Sequence, residues 1–469
     1  MTHYDLVIIG TGSGNTIVNR RFADWKVAIV ERGTFGGTCL NVGCIPTKMF
    51  VHTADLAATP SISSRYGVDE ELIGVRWPEV RDRIFDRIDP IAASGSEYRH
   101  HHADNANVTV YDGTGRFTGT KELTVDGKDG RTSVITADRY VLAAGSRPII
   151  PFIPGLEETG YHTSNTIMRL EKLPRRLGII GSGFVAAEFA HIFSSYGVDV
   201  TLIARSELLL RHEDADIAQR FTELARGKYD VRLDHETIGV ARNDDGSILI
   251  RTLYPDGADK IEVDELLIAV GRTPNSDVLD LDATGVEVDN EGRVVVDEYQ
   301  QTTVDGIYAL GDVTTPHQLK HVANHEARVV KHNLLNPTDR IKADHRFVPH
   351  AVFSSPQIAS VGLTEEEARE RGIEYVVGRE NYADIAYGWA MEDTSGFAKI
   401  LADPKSGQII GCHIIGPQAS SVIQPVIQAM SFGLDAYSMA RNQYWIHPAM
   451  SELIENALLH LDLKLDAEG

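Results

Sequence analysis

Two stretches of this chain share one order of elements, and that repetition limits the possible fold more than any other feature. The first, YDLVIIGTGSGNTIVNRRF followed by KVAIVE, reads as apolar strand, glycine-rich turn, helix-like pattern and second strand ending in an acid, Glu31. The second, RRLGIIGSGFVAAEFAHIFSSYGVDVTLIARSELLLR, repeats strand, turn, helix and strand but runs into Arg205. That order builds a dinucleotide site, because its glycines let the backbone approach a pyrophosphate held at the positive end of the helix. A single G-x-G-x-x match is a weak signal. Two of them, each with its flanking elements, ask for two dinucleotides.

The copies differ where a ribose would lie. In the first, Gly10, Gly12 and Gly14 form the turn, and Glu31, 21 residues beyond Gly10, is placed to accept hydrogen bonds from a ribose. Asn15 stands where the fingerprint takes Gly or Ala, so the packing of helix on strand has to admit a larger side chain there. In the second, Gly181, Gly183 and Ala186 complete the pattern and no acid follows. An arginine pairs bidentately with a 2′-phosphate that an acid would repel. Arg205, with Arg211 as a second contact, therefore selects NADP(H) over NAD(H).

At 469 residues the chain exceeds the size of one core, and ~150 residues per domain suggests about three domains. Residues 49–105 read as largely helical, with short β-rich segments after them, and ELLIAVGRTPN and GIYALGDV each run from a strand into a glycine turn. From about Val348, antiparallel-looking strands precede further helices, which reads as a separate C-terminal domain. The net charge of −22 argues against nucleic acid or an anionic membrane as partner, since both need a basic face. No run approaches the roughly 20 apolar residues of a membrane span, and the first strand lacks the marks of a signal peptide. The expected location is the cytoplasm.

Three cysteines occur, two of them in GGTCLNVGCIPTK. Cys39 and Cys44 could form a structural clip, a metal half-site or a redox pair. Zinc would need two further ligands and no companion pair exists, so no metal is expected. A clip across so short a loop gains little, because the loop closes easily without it. The redox reading has positive support. Pro46 suits the first turn of a helix, which puts Cys44 near a positive helix end where thiolate is favoured. Lys48, four residues on, shares its face. Near the C-terminus, WIHPAMSELIENALL sets Glu452 five residues after His447, near enough to orient an imidazole that moves protons for thiol–disulfide exchange. Glu188, on the second unit's helix, reads either as a solvated charge or as a buried partner for Lys48. The three histidines of RHHHADN splay about 100° apart on a helix and read as surface. Cys412 reads as a small buried apolar residue.

GGTCLNVGCIPTK, both fingerprints, AVGRTPN, GIYALGDV and HPAMSE together resemble the flavoprotein pyridine nucleotide–disulfide oxidoreductases of the glutathione reductase and lipoamide dehydrogenase type, from the first strand to the last helix. The resemblance implies an α/β fold with two Rossmann-like dinucleotide-binding domains, for FAD and NADPH, and a C-terminal α+β dimerisation domain. The implied division is 1–150 and 271–346 for the two parts of the FAD and central domain, 151–270 for NADPH and 347–469 for the interface domain. It also implies a homodimer with shared active sites. NADPH passes hydride to the flavin beside Lys48 and Glu188, and the flavin opens a Cys39–Cys44 disulfide through Cys44. Cys39 then attacks a small-molecule disulfide, and His447 of the partner subunit, oriented by its Glu452, protonates the departing thiolate. Asp312, Gly37, Thr38, Gly115, Gly145, Gly271 and Arg272 are implied cofactor contacts.

Within the family, GTGSGN, IDPIAASGSEYR, LKHVANHEARVVKHNLL, AYGWAMEDTSG and IQAMSFGL resemble the mycothione reductase branch, which implies the symmetric disulfide of mycothiol as substrate. Lipoamide dehydrogenases share the sulfur motif but use NAD, which Arg205 and Arg211 oppose. Glutathione reductases need cations for their substrate's carboxylates, a part open to Arg20, Arg21 and Arg99. Mercuric reductases and large thioredoxin reductases would need an extra redox centre near a terminus, and this chain ends LDLKLDAEG. A reading from another class, a non-catalytic flavin-binding redox sensor, predicts that Cys39 and His447 matter only for stability. Tyr98, Asn15, Arg21 and the YGWAMED stretch are further pocket candidates.

Overall fold

In a computed structural model, residues 1–464 are described; the last five residues of the LDLKLDAEG ending lie outside them. The apolar run after Met1 forms the strand Thr2–Ile9, which pairs in parallel with Val27–Glu31 on one side and Thr132–Leu142 on the other. Val108–Gly119 and Ile307–Ala309 extend this sheet at its two edges. The first strand is therefore central, as its near-continuous burial requires of a strand covered on both faces. The long strands Val108–Gly119 and Thr132–Leu142 run past the parallel sheet and join Glu122–Gly127 in an antiparallel meander.

A second parallel sheet has the order Glu265–Ile268, Arg176–Ile180, Asp199–Ile203, Asp230–Arg232. An antiparallel sheet of Glu236–Arg242, Ile248–Tyr254 and Gly257–Val263 lies beside it. The chain enters this region through Ser146–Pro148 and leaves through Arg272–Pro274, and these two segments pair with each other. Five antiparallel strands between His350 and Gly416 form the C-terminal sheet. One of them, Val376–Asn381, is an edge strand of mixed polarity that the apolar pattern does not mark.

The helices Cys44–Ala58 and Trp77–His101 pack onto Phe184–Ser195 through a shared aromatic core. Phe50 is fully buried and stacks on Trp77 at 5.2 Å, burial worth roughly 1.5–3 kcal/mol for such a side chain. The second unit is also tied to the C-terminal sheet by Lys399. This lysine is buried and pairs with Asp214 and Asp216, each at 2.8 Å, and with Glu365.

The first fingerprint departs from its pattern. No α-helix follows the turn; the segment forms two short 3₁₀ turns, Gly14–Thr16 and Arg20–Phe22. The reason is Arg99, which is buried rather than on the surface. Its guanidinium donates to the carbonyls of Asn15 (2.7 Å) and Val18 (3.0 Å), groups that amides four residues on would take in an α-helix. It also donates to Oδ1 of Asn15 and of Asn105, each at 2.7 Å. Asn15 thus faces Arg99, and the close packing on the sheet falls to Gly14, where a Cβ would stand 2.6 Å from the Ala143 Cβ.

Candidate active site

Cys44 opens the helix Cys44–Ala58, with Gly43 as its N-cap and Pro46 in the first turn. Its sulfur therefore lies at the positive end of a helix. Cys39 is carried by the short helix Gly37–Asn41. At Gly37, whose φ is +68°, a Cβ would come within 2.7 Å of the Gly12 Cα. Only glycine permits that approach, and it presses the sulfur loop against the first nucleotide turn.

Cys39 is half-buried and Cys44 exposed, both as free cysteines. The hydrogen bond from Cys39 is the main force that pulls the Cys44 pKa down to about 7; burial opposes it and Lys48 adds to it. The same hydrogen bond, then burial and the charge on Cys44, pushes the Cys39 thiol far above its ordinary range, with Lys320 and Lys48 pulling the other way. The pair gives up its first proton at Cys44.

Lys48 meets Glu188, across 140 residues of sequence, at 2.6 and 2.7 Å from its two oxygens. Glu188 is buried and also accepts the Phe353 N–H at 3.0 Å, while the Lys48 ammonium sits 4.8 Å from the centre of the Phe353 ring. Of the two readings open for Glu188, the buried partner is the one the fold contains.

These groups open onto one cleft of about 1530 Å³, which both fingerprints also line. It exceeds the roughly 300–1,000 Å³ of a pocket for one drug-sized ligand, as a site for two dinucleotides must. Gly10 (φ +103°) and Gly181 (φ +143°) start the two turns, and a Cβ on either would lie 2.3 or 2.2 Å from the carbonyl oxygens of Ala143 and Ala269. Gly12 and Gly183 line the cleft, whereas Gly14 and Ala186 lie buried behind it.

Glu31 faces the first turn. Its carboxylate accepts the Thr11 N–H (2.8 Å) and hydroxyl (2.6 Å) and the Gly33 N–H (2.6 Å). Arg205 and Arg211 line the second part of the cleft, and neither has a carboxylate partner among the described residues. An acid without a cation at one turn and two arginines without an acid at the other fit FAD and NADP(H) respectively. Asp312 accepts from the Ser146 hydroxyl at 2.7 Å, and Arg272 donates to that hydroxyl and to the Ser146 carbonyl, each at 2.8 Å. Burial lowers the pKa of Arg272, against the charges of Asp312 and Cys44. Gly37, Thr38, Gly115, Gly145 and Gly271 line the cleft as well.

His447 and Glu452 form a pair of their own, Nδ1 to Oε1 at 2.5 Å, with the second Glu452 oxygen accepting the Ala449 N–H at 3.2 Å. The His447 side chain is 69% exposed and lies off the cleft that holds this chain's Cys39 and Cys44. Tyr98, Asn15, Arg21 and the YGWAMED stretch, residues 387–393, also lie off it, and Arg99, spent on Asn15, Val18 and Asn105, is not available to a substrate. His100 bonds Asp112 at 2.9 Å, and no group of three metal ligands exists among the described residues. Cys412 is fully buried. No described helix is long and apolar enough to cross a membrane.

Sequence reasoning missed Ser13, Lys320, Glu213 and His350, all of which line the cleft. Lys320 donates to Ser13 Oγ at 2.9 Å, and His350 bonds Glu213 at 2.7 Å. The signal available for Lys320 was its place at the start of an otherwise amphipathic helix, Lys320–Leu335.

Comparison with known proteins adds three findings. The family described as pyridine nucleotide-disulphide oxidoreductase matches residues 4–327, and its dimerisation domain matches residues 348–458. The chain is 52% identical to mycothione reductase of Mycobacterium tuberculosis over 98% of its own length and 100% of that relative's. It is 33% identical to dihydrolipoyl dehydrogenase of Corynebacterium glutamicum over 97% of each. Among solved structures, the Cu(II) complex of the HOCl-induced flavoprotein disulfide reductase RclA from Escherichia coli matches with a TM-score of 0.84 at 30% identity, covering 98% of this chain and 99% of that one.

Proposed function

The chain belongs to the pyridine nucleotide-disulphide oxidoreductases, oxidoreductases that work with FAD and NAD(P)H, and from that premise we propose that it is an NADPH-dependent reductase of mycothiol disulfide, acting as a homodimer in the cytoplasm. The observation that carries the reaction is the sulfur pair at a helix N-terminus, opening onto the same cleft as both nucleotide turns. Arg205 and Arg211, without a carboxylate partner among the described residues, support NADPH, and the full-length 52% identity to mycothione reductase supports the substrate.

The Gly10 turn with Glu31 would hold FAD and the Gly181 turn with Arg205 would hold NADPH, and together these two cofactors would supply the electron pair that opens the disulfide. The rest is the work of side chains. The hydrogen bond from Cys39 favours the Cys44 thiolate most, and the Lys48 ammonium, fixed by Glu188, adds to it, so that Cys44 loses its proton near neutral pH. Cys39, the outer sulfur, attacks the substrate disulfide; its new S–S bond replaces the substrate's, and one thiolate leaves. His447 of the partner subunit, held by its own Glu452, gives that thiolate a proton. Cys44 then attacks Cys39, closing the pair and releasing the second thiol. The sum is one NADPH and one proton consumed per disulfide, giving two thiols. The exposure of His447, away from its own chain's cleft, supports a shared site, as do the protruding Tyr444 and Ile446 beside it.

The test is NADPH consumption by the purified flavoprotein with mycothiol disulfide and glutathione disulfide side by side, repeated with NADH. Fast turnover confined to mycothiol disulfide and NADPH is the expected result. A preference for glutathione disulfide overturns the substrate, and equal use of NADH overturns the role of Arg205.

A further inference from the structure

Resting on the reading of the chain as NADPH-dependent, we propose that His350, a residue of the C-terminal domain, is a positioning residue for coenzyme choice: it holds the Glu213 carboxylate on the C-terminal sheet and so keeps Arg211 free for a 2′-phosphate. The second nucleotide unit then does not set its own specificity alone.

The need arises in RSELLLRHED, residues 205–214. The segment carries Arg205 and Arg211, but also Glu213, two residues beyond Arg211 and lining the same cleft. A carboxylate there opposes a phosphate in two ways. It rivals the phosphate for the guanidinium, and its own charge repels the ligand. In the folded chain both Glu213 oxygens are engaged elsewhere. One bonds His350 Nε2 at 2.7 Å, and the other accepts the Ser360 hydroxyl at 2.7 Å. His350 and Ser360 lie directly opposite each other on the paired strands His350–Val352 and Gln357–Gly362. They form a two-pronged receptor built on one antiparallel ladder.

The backbone on either side is tied down. Before Arg211, the Leu210 N–H donates to the Ser182 carbonyl of the second nucleotide turn at 2.7 Å. After Glu213, Asp214 accepts from Lys399 at 2.8 Å and from the Glu365 N–H at 3.3 Å, and it caps the helix Ala215–Arg226. Arg211 and Glu213 thus sit on a short bridge between the nucleotide turn and the C-terminal sheet, where the Glu213 side chain alone has a choice of partner. Burial pushes the Glu213 carboxyl up, but His350 and then Ser360 outweigh it and hold the group below its ordinary range, as an anion. Removing one member of such a pair leaves the other charge in place without compensation. Without His350, the nearest arginine in sequence for that anion is Arg211.

The test needs no disulfide substrate. Flavin reduction in the anaerobic holoenzyme is followed by stopped flow against NADPH and NADH, giving an apparent Kd and a limiting rate for each. His350→Leu should raise the Kd for NADPH about tenfold, keep the limiting rate within about twofold, and lower the preference for NADPH over NADH about tenfold. Adding Glu213→Gln to His350→Leu should restore the wild-type Kd, because the competing charge is gone. A merely loosened fold would weaken both coenzymes alike, and a second substitution in the same pair would not repair it. An unchanged preference in His350→Leu overturns the proposal, and so does a loss that Glu213→Gln leaves in place. Should His350→Leu fail to fold, Ser360→Ala removes the other donor and should lower the preference about threefold; no change there overturns the proposal as well. A wild type that reduces its flavin equally with NADPH and NADH overturns the NADPH reading and this inference with it. A wild-type preference that His350→Leu leaves intact overturns the inference alone.

Discussion

The two nucleotide units begin alike and then part. Gly10 and Gly181 perform the same task, each in a positive-φ conformation with a carbonyl oxygen where a Cβ would go. After that shared start, the second unit continues into a regular helix, Phe184–Ser195, and ends its second strand beside Arg205. The first breaks into 3₁₀ turns braced by a guanidinium that comes from a helix 84 residues away, and it ends in Glu31. The difference separates two requirements that usually travel together. Close approach of the backbone to a phosphate depends on the first glycine, whereas the helix behind it is replaceable if another group takes up its carbonyls.

Substitutions can break this comparison at graded strengths. The largest effect is expected from Gly10→Ala, whose Cβ meets backbone rather than a mobile side chain. This variant should purify without flavin, read by the ratio of absorbance at the flavin and protein bands. Gly181→Ala should keep its flavin and raise the KM for NADPH, roughly a hundredfold for about 3 kcal/mol of strain. A flavin-replete Gly10→Ala would show that the two turns are not equivalent.

Arg205→Glu comes next and should lower kcat/KM for NADPH by roughly ten- to a hundredfold while leaving NADH use intact. An equal loss with both nucleotides would place Arg205 outside the ribose site. Arg99→Met leaves the Asn15 and Val18 carbonyls without their donor. At roughly 1–3 kcal/mol for each buried group, it should lower Tm by several degrees and weaken flavin retention, with the NADPH site unaffected. Lys48→Met should move the alkylation midpoint of Cys44 up from about 7, because the lysine's charge favours the thiolate; Cys44 alkylation at pH 7 then slows. The smallest effect belongs to Gly183→Ala. Among the described residues, chain neighbours and the helix's own backbone aside, nothing lies within 4 Å of its new Cβ, so the unfolding free energy should stay within about 0.5 kcal/mol of wild type. A large loss of stability there would contradict the open space in front of the second turn.

Most of the second unit was legible from sequence, because strand, turn and helix are set by residues adjacent in the chain. The helix start at Cys44 was legible for the same reason, through Pro46. The contact of Lys48 with Glu188 was accessible as one of two alternatives, since an ion pair in a core narrows the choice of partner. The collapse of the first unit's helix was not legible. NTIVNRR carries a helix-like pattern, and what overrides it is Arg99, whose own segment reads as an exposed helix end. Lys320, Glu213 and His350 escaped for a related reason: each sits in an unremarkable local pattern and reaches the cleft only through tertiary folding. His447 was marked by its spacing to Glu452, but its distance from its own chain's sulfurs is a property of the folded surface.

The pairing of Ser146–Pro148 with Arg272–Pro274 has a consequence for how such a chain can be rebuilt. The strands that lead into and out of the second unit lie side by side, one ladder of hydrogen bonds apart. Everything between them is thus an insert whose two ends are already held together by the host, the arrangement in which domain insertion is best tolerated. A unit from a relative with the opposite coenzyme preference could be spliced at these two cuts without stretching the host. Such a graft must bring with it the long-range contacts of the unit it replaces, among them a carboxylate at the place of Glu188, which reaches back to the sulfur helix, and acids at the places of Asp214 and Asp216, which hold Lys399.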